Sequence, residues 1–96
     1  MPALSAAQIK NALPTLPNWH YEADSLQAEY QFVDFKAAFA FMAQVALMAE
    51  KADHHPTWTN TYNTVTIVLK THDADDKVTQ KDINLAQEIV KILENK

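Results

Sequence analysis

Three of the four histidines fall in two places. His54 and His55 adjoin in the run Asp53-His54-His55-Pro56, and His72 follows Lys70 and Thr71. An imidazole at its reference pKa of about 6.5 gives or accepts a proton near neutral pH. Two imidazoles in opposite protonation states can therefore act as acid and base in one dehydration. Other uses fit the same residues. Adjacent histidines at a helix end often only cap carbonyls or face solvent. Three imidazoles could bind zinc. Yet no two histidines stand one helical turn apart and the chain has no cysteine, and a metal site needs convergent ligands with a supporting shell; no metal is expected. Trp58 and Tyr62 could stack on a flat heterocycle, although strand aromatics more often belong to a core. Asp73, Asp75 and Asp76 read as a solvated loop. His20 follows Trp19 with no evident partner and is given no role.

The elements that must position these residues follow from capping signals and periodicity. Ser5, with Gln8 at the capping-box position, opens a short helix to about Leu13 that Pro14 and Pro17 end. Trp19 to Ala23 and Leu26 to Val33 read as strands, with a hairpin turn at Asp24 and Ser25. Asp34 caps a long helix from Phe35 to about Lys51. Its apolar stripe is read as Phe35, Ala38, Phe39, Met42, Val45, Ala46 and Ala49, with Phe41, Leu47 and Met48 off that stripe. A helix apolar on more than one side is expected to be covered twice, by its own sheet and by another subunit. Pro56 disfavours helix at His55, so the helix ends near the histidine pair. Trp58 to Asn63 and Thr64 to Thr71 then read as strands, the second with Val65, Ile67 and Leu69 on one face. Thr79 caps a final helix, with Asp82 able to reach back and Ile83, Ala86, Ile89, Val90 and Leu93 as its buried stripe. The fold class expected is α+β: two layers, a four-stranded mainly antiparallel sheet with three helices on one face, in the order α-β-β-α-β-β-α.

Composition narrows the function. A length of 96 residues indicates a single domain, 1–96. So small a domain buries a modest core and gains from self-association. The net charge of −4 argues against direct nucleic-acid binding, which needs a basic footprint. No apolar run approaches the roughly 20 residues of a membrane span. The N-terminus lacks a signal-peptide pattern, so a cytoplasmic location is expected. The absence of cysteine excludes thiolate chemistry, and the absence of glycine excludes the Gly-rich phosphate-binding loops.

The ordered set Glu50, His54-His55-Pro56, Tyr62, His72 and Asp82 resembles the signature of the pterin-4a-carbinolamine dehydratase family. The surrounding text agrees: Asp53-His54-His55-Pro56-x-Trp58-x-Asn60-x-Tyr62-Asn63-x-Val65, then Thr71-His72, then Asp82-Ile83-Asn84-Leu85-Ala86. The likeness is close over residues 50–86, and the expected element order extends it over nearly the whole chain. The resemblance implies a hydro-lyase that converts 4a-hydroxytetrahydropterin to quinonoid dihydropterin. That reaction recycles the tetrahydropterin cofactor of aromatic amino acid hydroxylases. It implies no metal or organic cofactor, a small-molecule pterin as partner, and assembly as a homodimer or homotetramer. It carries catalytic roles over to His54, His55 and His72. Substrate contacts carry over to Asp53, His54, His55, Lys70, Thr71, His72 and Asp73, with Glu50, Pro56, Trp58 and Asp82 in support. Within that chemistry His54 and His72 are expected to share the acid and base roles, while His55 binds and polarises.

One departure stands out. The family often has glycine in the loop before the last helix, whereas this chain has Asp73-Ala74-Asp75-Asp76-Lys77-Val78. A left-handed turn there would fall on Asp, which tolerates it less well. Two alternatives to the standard function remain. One is a binding module, a dimerisation cofactor for a transcription factor, using a helical surface that includes Phe41, Leu47 and Met48. The other is a dehydratase-like protein in another pterin pathway.

Overall fold

The computed structural model describes residues 2–94. Helix α1 (Ala6–Ala12) opens with the Ser5–Gln8 capping box and leads into a 3₁₀ turn, Leu13–Thr15, that holds Pro14 in its first turn. Strands β1 (Trp19–Glu22) and β2 (Ser25–Gln31) form a hairpin. Helix α2 (Phe35–Ala52) follows, with the Asp34 side chain accepting the Ala37 N–H. Strands β3 (Thr57–Thr61) and β4 (Thr64–Leu69) form a second hairpin, and helix α3 (Gln80–Glu94) closes the described chain. The order is the expected α-β-β-α-β-β-α, and the four strands form one antiparallel sheet, β1-β2-β4-β3.

The register explains why one face is dry. Leu26 pairs with Leu69, Ala28 with Ile67 and Tyr30 with Val65, all buried. The alternate positions pair Gln27 with Val68, Glu29 with Thr66 and Gln31 with Thr64. Side chains alternate along a strand, so these form the other, polar face. Ile9, Leu16, Val45, Ile83 and Ile89 join the buried sheet residues in one core cluster.

Three local expectations are corrected. The first hairpin turns on Ala23 and Asp24, and Ser25 already pairs with Glu22. Both turn residues have positive φ, 51° and 61°, which is the twist a two-residue hairpin requires. Tyr62 and Asn63 form the second turn rather than ending a strand, because Thr61 pairs with Thr64. The phase of α2 also differs. Its buried residues are Ala38, Phe41, Val45 and Ala49, while Phe35 and Phe39 are exposed. Phe41 is therefore a core residue and no part of an outer surface; its ring lies 5.0 Å from Phe32 and 5.6 Å, edge-on, from Tyr30.

Candidate active site

The first wall of the site is made by the way α2 stops. Asp53 adopts the left-handed conformation (φ 52°) and its N–H turns back to Glu50 O at 3.1 Å; the next N–H, of His54, reaches Ala49 O at 3.0 Å. This double closure is a Schellman turn, which satisfies the last carbonyls and redirects the chain. The backbone is thus fixed at the residue that precedes the histidine pair. His54 turns inward and is buried, while His55 turns outward and hydrogen-bonds through Nε2 to Glu50 at 2.9 Å.

The second wall comes from the segment after β4. Thr71 forms a bridge to Lys77, with Thr71 N–H donating to Lys77 O at 2.8 Å, and a 3₁₀ turn (His72–Ala74) lies between. Asp75 and Asp76 both take left-handed φ, 63° and 58°, so aspartates do carry the turn that glycine would otherwise make. His72 sits on this turn almost fully exposed, its side chain 93% accessible, with Nδ1 3.2 Å from Asp76.

The third wall is the start of α3. Thr79 accepts the Lys81 N–H on its hydroxyl at 3.2 Å, and Asp82 reaches back to accept the Thr79 N–H at 2.8 Å. Asp82 is fully buried, so its charge must be met by hydrogen bonds rather than by water. It accepts from the Thr71 hydroxyl at 2.8 Å and meets Nε2 of His54 through its other oxygen. The buried carboxylate thereby ties all three walls together.

All seven residues of the expected substrate contact, Asp53 to His55 and Lys70 to Asp73, line one cleft of about 270 Å³. Lys81 completes the lining, a residue that the sequence reading did not single out. Its signal was its position in the first turn of α3, next to Asp82. A second cavity of about 570 Å³ opens between α2 and α3 and shares His54 and Lys81 with the cleft. Of the supporting residues, Asp82 and Glu50 each hold one histidine. Trp58 is half-buried, pairs with Ile67 and packs against the core, and neither Trp58 nor Pro56 lines the cleft. Tyr62 stands exposed on its hairpin, outside the cleft lining. His20 hydrogen-bonds Glu22 at 3.1 Å on the edge strand. Among the described residues no helix is long and apolar enough to cross a membrane.

A cleft with one oriented, buried imidazole and two exposed ones, each set against a carboxylate, is suited to moving protons between two atoms of a bound heterocycle. Proteins of similar sequence and shape are known. The family model for pterin 4 alpha carbinolamine dehydratase matches residues 2–92. A protein of Opitutus terrae, provisionally named pterin-4-alpha-carbinolamine dehydratase, is 45% identical over 89 residues, 93% of this chain and 92% of its own length. One of Bordetella avium with the same provisional name is 53% identical over 78 residues, 79% of this chain and 71% of its own. A crystal structure of a transcriptional coactivator/pterin dehydratase from Brucella melitensis aligns with a TM-score of 0.89 at 40% identity, covering 94% of this chain and 97% of that one.

Proposed function

The chain belongs to the pterin-4a-carbinolamine dehydratase family, and from that membership we propose that it dehydrates 4a-hydroxytetrahydropterin to quinonoid dihydropterin. The observation that carries this reading is the single cleft in which His54, His55 and His72 meet Asp53, Lys70, Thr71 and Asp73. The chemistry asks for two proton transfers. A base takes the proton on ring N5, and the freed electron pair becomes the second bond between N5 and C4a. The bond from C4a to oxygen breaks toward oxygen, and an acid delivers the proton that lets the hydroxyl leave as water. His54 and His72, from the first and second walls of the cleft, take these two roles. His55 binds the substrate, held outward by Glu50. The cleft carries Lys70 and Lys81 beside Asp53 and Asp73, a mixed polar lining suited to the ring's amide and amino edge. The physiological setting that fits is recycling of the tetrahydropterin used by an aromatic amino acid hydroxylase.

The test is stopped-flow absorbance of enzymatically generated 4a-hydroxytetrahydropterin. Wild type should accelerate its decay over buffer, and His54→Ala or His72→Ala should each lose roughly 10²-fold or more of that rate. No acceleration by wild type would end the dehydratase reading, and near-normal turnover in both variants would remove the two histidines from the chemistry.

A second surface supports an assembly role. Phe35, Phe39 and Leu47 leave α2 with 48%, 58% and 75% of their surface exposed, and Val33 just before it is 84% exposed. So much apolar area on one helix is an association face, and we propose further copies of this chain as its occupant. The Brucella melitensis protein is also described as a transcriptional coactivator, and a heterologous partner on this face is the competing reading.

A further inference from the structure

Asp82 has two carboxylate oxygens and three hydrogen-bond partners. Oδ2 receives the Thr79 N–H and the Thr71 hydroxyl, each at 2.8 Å, and Oδ1 meets Nε2 of His54. The hydroxyls of Thr71 and Thr79 lie 2.7 Å apart. Thr71, Thr79 and Asp82 are all buried, so no bulk water competes for these bonds. The order of the protons then follows by elimination. A hydroxyl has one proton to give. That of Thr71 goes to Asp82, so the bond between the threonines is donated by Thr79. Two donors on Oδ2 leave Oδ1 as the one oxygen that could carry a proton. Imidazole is a stronger base than a carboxylate, so the proton shared with His54 belongs to the ring and the carboxylate is ionised. Its Oδ1 is then also an acceptor, and the proton it shares with His54 sits on Nε2. The lone pair of a neutral His54 is thereby on Nδ1. That atom has no hydrogen-bond partner among the described residues, and the unpartnered polar atoms that are shut off from solvent are the Trp19 indole N–H and the Tyr30 hydroxyl alone. Nδ1 therefore opens to the cavities that His54 lines.

We propose that Thr79, acting through Thr71 and Asp82, is a positioning residue that fixes His54 as the Nε2–H tautomer and presents Nδ1 as the base. The base role rests on the dehydratase reading above, whereas the tautomer is a property of the chain alone. In the reaction Nδ1 takes the N5 proton and Asp82 stabilises the imidazolium that forms, as a buried aspartate does for a catalytic histidine elsewhere. His72 then gives the proton that leaves with the hydroxyl as water. Both histidines return to their starting forms by exchange with solvent.

Nitrogen-resolved NMR of the ¹⁵N-labelled chain reads the tautomer directly. Wild type should show His54 protonated at Nε2 and bare at Nδ1, and Thr79→Val should show a mixture of tautomers. The same variant should lose roughly tenfold in kcat, the worth of about one hydrogen bond, with KM within about twofold. Thr79→Ser should restore both readings, which a packing role for the threonine methyl would not allow. A wild-type His54 protonated at Nδ1 overturns the proposal without any variant, and so does a Thr79→Val chain with unchanged tautomer and kcat. Should Thr79→Val not fold, the wild-type spectrum and Thr79→Ser still decide. The expected tautomer in a wild-type chain that does not dehydrate pterin overturns the base assignment and leaves the positioning role standing.

Discussion

Two of the three carboxylate–imidazole pairs at the cleft differ sharply in what surrounds them, and that difference sets what each contributes. Glu50 and His55 meet at 2.9 Å but their side chains are 80% and 59% accessible. Water competes for both groups, and such a pair contributes no more than about 1 kcal/mol. Asp82 is fully closed to water and the His54 side chain is only 9% accessible, and Asp82 also terminates bonds from Thr71 and Thr79. Asp82→Asn keeps the shape and replaces one acceptor oxygen by a donor nitrogen. That nitrogen must face either the His54 Nε2–H or two other donors, so the ring turns or takes the wrong tautomer. The expected loss is on the order of 10²-fold or more in kcat, with about 1–3 kcal/mol of stability lost through the unpaired donor. Glu50→Gln should cost less than about fivefold in turnover and leave stability within about 0.5 kcal/mol. Steady-state kinetics and urea unfolding of the two variants side by side check this ranking. Equal losses would mean that burial is not what distinguishes the pairs.

At the level of elements, the chain bends without glycine. Seven described residues have positive φ: Asn18, Ala23, Asp24, Asp53, Tyr62, Asp75 and Asp76. A Cβ in this region costs roughly 1–2 kcal/mol, least for Asn and Asp. Ala23 has no polar side chain to offset that cost and lies in a hairpin outside the cleft lining. Ala23→Gly should raise the thermal midpoint by a few degrees, as about 1 kcal/mol does in a domain of this size, with KM unchanged. Asp53→Gly relieves the same strain in the Schellman turn but removes a carboxylate from the cleft. It should hold or raise the midpoint while raising KM several-fold. Scanning calorimetry and pterin kinetics on both variants separate conformation from contact, and an Asp53→Gly enzyme with wild-type KM would take Asp53 out of substrate binding. These bends also mark what was legible. Ser5, Asp34 and Thr79 announced their helices because caps are local chemistry, and Val65, Ile67 and Leu69 announced a face because alternation is local too. The aspartate turn after His72 was legible through the missing glycine. The phase of α2 was not, because apolar residues stand on every side of it. Lys36, Gln44 and Leu47 are exposed, and only packing shows that Phe41, three residues before Gln44, is a core residue. The convergence of Thr79 on Thr71 was hidden for a similar reason: β4 leads to one and α3 starts from the other, and only the closed loop brings their hydroxyls to 2.7 Å.

The whole molecule presents one polar sheet face, one buried core and one helix face that is apolar and open. A domain this small leaves a large share of its surface exposed, so covering the α2 face would add materially to its stability. Leu47→Glu places a charge where a partner helix would pack. It should shift the sedimenting species toward monomer at micromolar concentration and lower the midpoint of the assembled protein. An unchanged mass would move self-association away from α2. The core carries a different liability. The Tyr30 hydroxyl is buried without a hydrogen-bond partner among the described residues, and burial pushes its phenol above the ordinary 10.0, with the nearby Trp19 indole opposing only in part. The folded state thus favours the neutral phenol more than the unfolded chain does. Its contribution to stability is fully present below the ordinary phenol pKa and is lost as pH rises through the higher folded value. Tyr30→Phe keeps the edge-on contact with Phe41 and removes the titration. At pH 7 it should change stability by no more than about 1 kcal/mol, because an unpaired hydroxyl contributes little to lose. In alkaline unfolding followed by circular dichroism it should move the midpoint to higher pH. A midpoint that stays where it was would mean that the core opens in alkali for another reason, with the charged surface as the place to look.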